Sequence, residues 1–204
     1  ADKYECRFRK YFMENKHSSF IAMFHDIMPD DGCINDNYAL RFTLFKFFIE
    51  SLQARGFEFV TLSELLTGGC ACIENKCVLT FDDAYESVYS RVMPLMTEIN
   101  IPFTAYITTS YIGTPGHISA LQLKELGRNP MCTIGMHAHK HTPFRRESQK
   151  VLREDFIRCR SILEDITGIS PQHYAFPYGS IDAVSRSNIK TRSEERRVGK
   201  ECRS

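Results

Sequence analysis

Apolar positions along the chain fall into short unbroken runs, separated by longer stretches in which they recur every three or four residues. "FIAMF" (20–24) predicts a buried strand; Tyr38, Phe42, Phe45, Ile49 and Leu52 then keep helical spacing up to Gly56, a natural helix stop. "FEFVT" (57–61) and "CVLTF" (77–81) predict a second and third strand, and a helix carrying Val88, Val92, Leu95, Met96 and Ile99 follows. Pro94 should kink or shorten that helix, because it lacks the N–H and crowds the preceding turn. "FTAYIT" (103–108) is the fourth predicted strand, "SALQLKEL" (119–126) a short helix ending at Gly127, and "CTIGM" (132–136) the fifth strand. An amphipathic segment from about Glu147 to Gly168 has Val151, Phe156, Ile162, Leu163 and Ile166 on its apolar side, and "HYAF" (173–176) is the sixth strand. This β-α alternation predicts a mainly parallel sheet with right-handed crossovers, open or closed as a barrel, and places ligand sites at the carboxyl ends of the strands.

The composition changes little in that picture and removes some partners. The 204 residues are 43% hydrophobic, ample for a core. With 26 basic and 25 acidic residues, a net charge of +1 gives no field that would gather nucleic acid or an anionic membrane. No apolar run approaches the length of a membrane span, and "ADKYECRFRKYFMENK" lacks the apolar core of a secretory signal. The eight cysteines are scattered, and Cys77 and Cys132 lie in apolar runs where a thiol acts as a small hydrophobe. Free thiols and the missing signal favour a cytoplasmic location, with the cell envelope as the alternative. The "CACIENKC" cluster at 70–77 lacks the paired C-x-x-C spacing of structural zinc sites.

Two stretches carry chemistry. "VLTFDDAYES" (78–87) ends a strand in adjacent carboxylates, Asp82 and Asp83. Side chains of an extended segment alternate faces, so the two acids are expected to take different roles. In "IGMHAHKHTPF" (134–144), His137 and His141 are four apart, so both imidazoles can reach one point if the segment turns helically after its strand. A carboxylate from another strand end, Asp82 or Asp83, would complete three ligands with positions left open, the arrangement of a catalytic metal site. The neighbouring acid would then serve as general base. His139, between the two ligand candidates, is expected to point elsewhere or to contact substrate, and His25, which follows the first strand, faces the same rim. For His17, His117 and His173 no partner is evident.

"TFDD" at 80–83, "HAHKH" at 137–141 and "FPYG" at 176–179, in this order, resemble the first three motifs of the polysaccharide deacetylase family, the NodB-like carbohydrate esterases of family 4. "AMFHDIMPDD" and "FEFVTLSELL" read like the amino-terminal part of many members, so the resemblance covers roughly residues 20–185. It implies a distorted (β/α) barrel, expected here to be incomplete at the C-terminus. It further implies a metal-dependent hydrolase that removes N-acetyl groups from an aminosugar glycan. By position, Asp82 matches the catalytic base, and Asp83, His137 and His141 match the ligands of a divalent metal, usually Zn2+, with Co2+ or Ni2+ possible alternatives. Tyr178 matches the residue whose backbone N–H steadies the oxyanion, and Pro177, Tyr178 and His25 are expected at the substrate. Ala175 stands where many members carry an arginine that orients the base, and no histidine follows His173 to supply the acid of the family's fifth motif. The alternatives are a carbohydrate-binding relative without turnover, or a hydrolase of another amide or an O-acyl ester. The expected division is an N-terminal extension over 1–19, a deacetylase-like domain over 20–190, and a non-native tail over 191–204, whose last thirteen residues include eight charged ones.

Overall fold

Five of the six expected strand runs form strands, at or near their expected boundaries. The computed structural model describes residues 18–31, 38–67, 74–143 and 147–179. The 191–204 tail and all but Ser18 and Ser19 of the expected extension lie outside the described residues, as do His17, Cys6, Cys33, Cys70, Cys72 and Cys202. In chain order the elements are β1 (Phe20–Phe24), β2 (Asp26–Met28), β3 (Ala39–Arg41), α1 (Phe42–Gln53), β4 (Glu58–Phe59), α2 (Leu62–Thr67) and β5 (Lys76–Phe81). A π-helical turn, Val88–Val92, runs into α3 (Met93–Glu98) and is followed by β6 (Phe103–Ile107), α4 (Ala120–Arg128), β7 (Cys132–Met136) and α5 (Gln149–Thr167).

Local signals explain the helix ends. Ser119 and Gln122 form a reciprocal capping box at the start of α4. Ser148 accepts a hydrogen bond from Val151 N–H to start α5, and Gly168 ends it at φ 73°, a conformation that costs glycine little. Pro94 falls in the first turn of α3, where its missing N–H is harmless, and the wider π turn before it absorbs the break. The expected kink is thus a change of helix type.

The main sheet runs β1-β5-β6-β7, with β4 paired to the start of β5, and every pairing is parallel. The expected sixth strand is reduced to a parallel bridge between Met136 and Tyr174, where Met136 N–H donates to His173 O and Ala175 N–H to Met136 O. Among the described residues the sheet stays open, with β1 and the Tyr174 bridge outermost. β2 and β3 form a small parallel pair of their own that the apolar pattern does not predict.

The core is aromatic at its centre. Phe24 from β1 packs on Phe45 and Phe48 of α1 and on Phe81 of β5, with ring centroids 5.2–5.5 Å apart, and Phe81 meets Phe103 of β6 edge-on at 5.8 Å. Leu123 and Leu126 of α4 and Cys159 and Leu163 of α5 are fully buried on the same core. Each of these buried leucines and phenylalanines contributes roughly 1.5–3 kcal/mol through burial. The register aligns the strand ends: Phe24 pairs with Phe81, Asp82 N–H donates to Phe24 O, and His137 N–H donates to Ile107 O. His25, Asp82 and His137 therefore leave the sheet at one edge.

Candidate metal centre

The adjacent acids reach one site because the chain stops being a strand between them. Asp83 takes φ 71° and Ala84 φ 66°, so the alternation of faces ends at Asp82. Both carboxylates then face the same imidazole: His137 Nε2 lies 3.8 Å from Asp82 Oδ2 and 3.5 Å from Asp83 Oδ1. The pleat was expected to turn the two acids apart; the left-handed residue overrides it. Ala138 (φ 68°), His141 (φ 50°) and Tyr178 (φ 59°) hold the same conformation. Non-glycine residues held off the common regions cost of order 1–3 kcal/mol each, and their concentration at one rim is characteristic of a functional site.

Asp83, His137 and His141 bring their ligand atoms together. His141 Nε2 is 3.0 Å from Asp83 Oδ1 and 3.1 Å from His137 Nε2. All three ligand atoms lie within 4.8 Å of one another. Four-coordinate zinc with bonds of about 2.0–2.2 Å needs ligand atoms roughly 3.3–3.6 Å apart; one observed edge, 3.5 Å, falls in that range and the other two, 3.0 and 3.1 Å, are a few tenths of an ångström shorter. Asp83 Oδ1 is buried yet accepts no well-directed hydrogen bond, and the same is true of Asp82 Oδ1. A buried carboxylate oxygen without a donor is costly. A divalent ion bound to Asp83, His137 and His141 would satisfy it, so these residues fit a metal.

The surroundings prepare the ligands. His137 Nδ1–H donates to Ala175 O over 3.0 Å, which leaves Nε2 with its lone pair toward the cluster. Burial, joined by the positive charges of His141 and His25, depresses the His137 pKa to about 4 against the pull of Asp83 and the Ala175 carbonyl, so the ring is neutral at pH 7. Burial raises Asp82 to about 7, with Asp83 adding to the rise and His141 opposing it. Burial works to raise Asp83 as well, but contact with His141 and the charges of His141, His137 and His25 outweigh it and hold that carboxyl below its ordinary value. The two neighbours are thus pushed apart, one toward holding a proton near neutrality and one toward staying ionised.

The loop carrying both histidines is clamped on two sides. Asp155 of α5 accepts His139 N–H at 2.7 Å and Lys140 N–H at 2.9 Å. On the other side Thr108 Oγ1 donates to His137 O, Thr109 N–H to Ala138 O and Ser110 N–H to His139 O. His139 turns away from the cluster, its Nδ1 2.9 Å from Thr109 Oγ1. His25 does join the site: its Nε2 is 3.9 Å from Asp83 Oδ2, the carboxylate oxygen not facing His141. The segment that carries it is tied to the helix after the acids, where Ser87 Oγ accepts from Ile27 N–H and donates to Asp26 Oδ1 at 2.6 Å. Tyr178 lies over His141 with centroids 4.8 Å apart, in a turn closed by Gly179 N–H on Phe176 O, and Pro177 is buried beneath it. His173 pairs with Ser63 Oγ, and His117 with Thr114 Oγ1 and Pro115 O. Nothing in the sequence marked Asp155 or the Ala175 carbonyl. The first is one charge among many on a solvated helix face, and the second acts through its backbone.

Residues 73–192 match the sequence profile of the family described as polysaccharide deacetylase. A poly-beta-1,6-N-acetyl-D-glucosamine N-deacetylase of Staphylococcus epidermidis is 24% identical over 194 residues, covering 82% of this chain and 67% of that protein. The Escherichia coli protein of the same name is 19% identical over 219 residues, covering 85% of this chain and 33% of its own length. The chain thus spans between a third and two-thirds of these curated relatives. Among solved structures, IcaB from Ammonifex degensii superposes with a TM-score of 0.73 at 23% identity, covering 86% of this chain and 80% of that one. That likeness shows the distorted (β/α) fold expected from the sequence.

Proposed function

The chain belongs to the polysaccharide deacetylase family, and from that premise we propose that it hydrolyses the N-acetyl group of glucosamine residues in a polysaccharide, with a β-1,6-linked polymer as substrate. One observation carries the reading: Asp83, His137 and His141 converge on a point, with Asp82 beside them and outside the ligand set. The β-1,6 linkage is that of the polymer for which the relatives of Staphylococcus epidermidis and Escherichia coli are named.

A divalent ion held by Asp83, His137 and His141 would polarise the acetamide carbonyl and make a water acidic enough to attack it. Two imidazoles and one carboxylate are a donor set that suits zinc. Asp82 takes the proton from the attacking water, and its buried carboxyl is placed to hold it. The Tyr178 backbone N–H steadies the oxygen on which charge develops, from a turn fixed by Pro177 and Gly179. Breaking the C–N bond leaves an amine that needs a proton. His25 is the further imidazole at the site, at the free side of Asp83, and supplies it. Acetate and a glucosamine amine result, with water the only co-reactant.

The test is acetate release from β-1,6-linked N-acetylglucosamine oligomers by protein loaded with zinc, cobalt or nickel in separate samples. Release that a chelator abolishes and the metal restores is expected. Absence of acetate with all three ions, from oligomers of either β-1,6 or β-1,4 linkage, would remove the proposal.

A further inference from the structure

Two tyrosine rings stand largely exposed on either flank of the site, while Tyr111, which also meets His141, is half-buried. Tyr38 is 60% exposed and Tyr178 67% exposed. Each lies against a histidine that itself touches Asp83. Tyr38 packs on His25 with centroids 4.9 Å apart, and His25 Nε2 faces Asp83 Oδ2; Tyr178 packs on His141 at 4.8 Å, and His141 Nε2 faces Asp83 Oδ1. The order along the rim is Tyr38, His25, Asp83, His141, Tyr178. The two oxygens of one carboxylate mark its centre. Exposed aromatic faces add nothing to folding by burial, and at Tyr178 the ring is presented from a left-handed backbone position that a non-glycine residue adopts only at a cost.

We infer that these two rings are glycan subsites: the polysaccharide lies across the metal centre with one sugar stacked on Tyr38 and another on Tyr178, flanking the sugar that loses its acetyl group. The inference rests on the deacetylase reading and adds how the chain is held. A pyranose ring has an apolar C–H face and a polar hydroxyl edge, which match the face of a tyrosine and its wet phenolic end. A neutral polymer also suits a chain whose net charge is +1 and offers no polyanion-binding field. Internal residues are therefore the preferred substrate. Three consecutive sugars are the shortest ligand that spans both rings.

The test titrates the zinc-loaded full chain with N-acetylglucosamine and its β-1,6-linked trimer and pentamer, measuring binding by calorimetry and acetate release in parallel. Binding should strengthen from monomer to trimer and then level off. Tyr38→Ala and Tyr178→Ala should each cut the advantage of trimer over monomer by about tenfold, the scale of one lost stacking contact, and Tyr38→Phe should keep it because the ring remains. Circular dichroism of each variant identifies any that fails to fold, and Tyr38→Leu provides a second non-aromatic variant. Acetate release with affinity independent of length, or a length advantage unchanged in both Tyr38→Ala and Tyr38→Leu, would overturn the subsites and leave the activity standing. Length-dependent binding lost in those variants, but without acetate, would support the subsites and remove the reaction.

Discussion

Asp82 and Asp83 differ in one backbone angle and therefore in chemistry. The left-handed turn at Asp83 puts its Oδ1 among the imidazole nitrogens, while Asp82 stays at the strand end beneath them. Asp83→Ala should lose most of the bound metal, since a three-residue site tolerates little loss. Asp82→Asn should keep the metal and lose about a hundredfold to ten-thousandfold in acetate release. Metal analysis of the purified variants, set beside turnover, distinguishes the two, and the reverse pattern would exchange their roles. The buried thiols make a second residue-scale expectation. Burial raises Cys77 and Cys159 from an ordinary value of 9.0 to about 12, so the folded state favours the protonated thiol. Their contribution is complete below pH 9 and is lost as pH rises from 9 toward 12, because the unfolded chain ionises there first. The urea midpoint should therefore fall over that window, and at pH 8 both thiols should react with a thiol reagent only on unfolding. That two acids and two histidines share a site was legible in the sequence. Their mutual orientation was not, because it depends on φ at Asp83, Ala138 and His141, residues whose types do not announce a left-handed backbone.

At the scale of elements, the metal loop depends on a helix that contributes no ligand. Asp155 takes two loop N–H groups into one carboxylate, so α5 sets where His141 can point. Asp155→Ala should weaken metal binding by about ten- to a hundredfold, the usual effect of losing a group that orients a ligand. Asp155→Asn keeps one acceptor oxygen and should fall between, as read by competition with a chromophoric chelator. Equal affinity in all three proteins would mean that the carbonyl bonds from Thr108, Thr109 and Ser110 hold the loop alone. The five strands of the main sheet coincide with predicted runs, β5 starting one residue early at Lys76; β5 and β6, buried on both faces, read as continuous apolar stretches, whereas β1 is apolar throughout although Ile21 and Met23 are exposed. β2 and β3 escape that reading. Three residues are too few to show a period, and their pairing is set by Ser87 and by contacts with α1.

Across the whole molecule, one parallel sheet gathers the ends of β1, β5 and β7 at a single edge, and the residues of the candidate site come from chain positions as far apart as His25 and Tyr178. The β-α order that predicts this arrangement was visible in the apolar pattern, whereas strand order was not, since β1 lies beside β5 and skips the strands between. That skip governs the order in which the molecule can assemble. Pairing β5 with β6 joins Leu79 to Phe103, a separation of 24 residues, whereas pairing β1 with β5 joins Phe20 to Cys77, a separation of 57. Closing the longer loop costs about 0.8 kcal/mol more in chain entropy. With no hairpin in the sheet among the described residues, where every strand pairing is parallel, refolding should be slow for a chain of this size. Pulse-labelled hydrogen exchange should find amides of β5 and β6 protected before those of β1, and simultaneous protection would contradict this order. During synthesis the same wait applies in time: at about 5–20 residues per second, the first strand, and His25 behind it, stay unpaired for several seconds until their partner emerges.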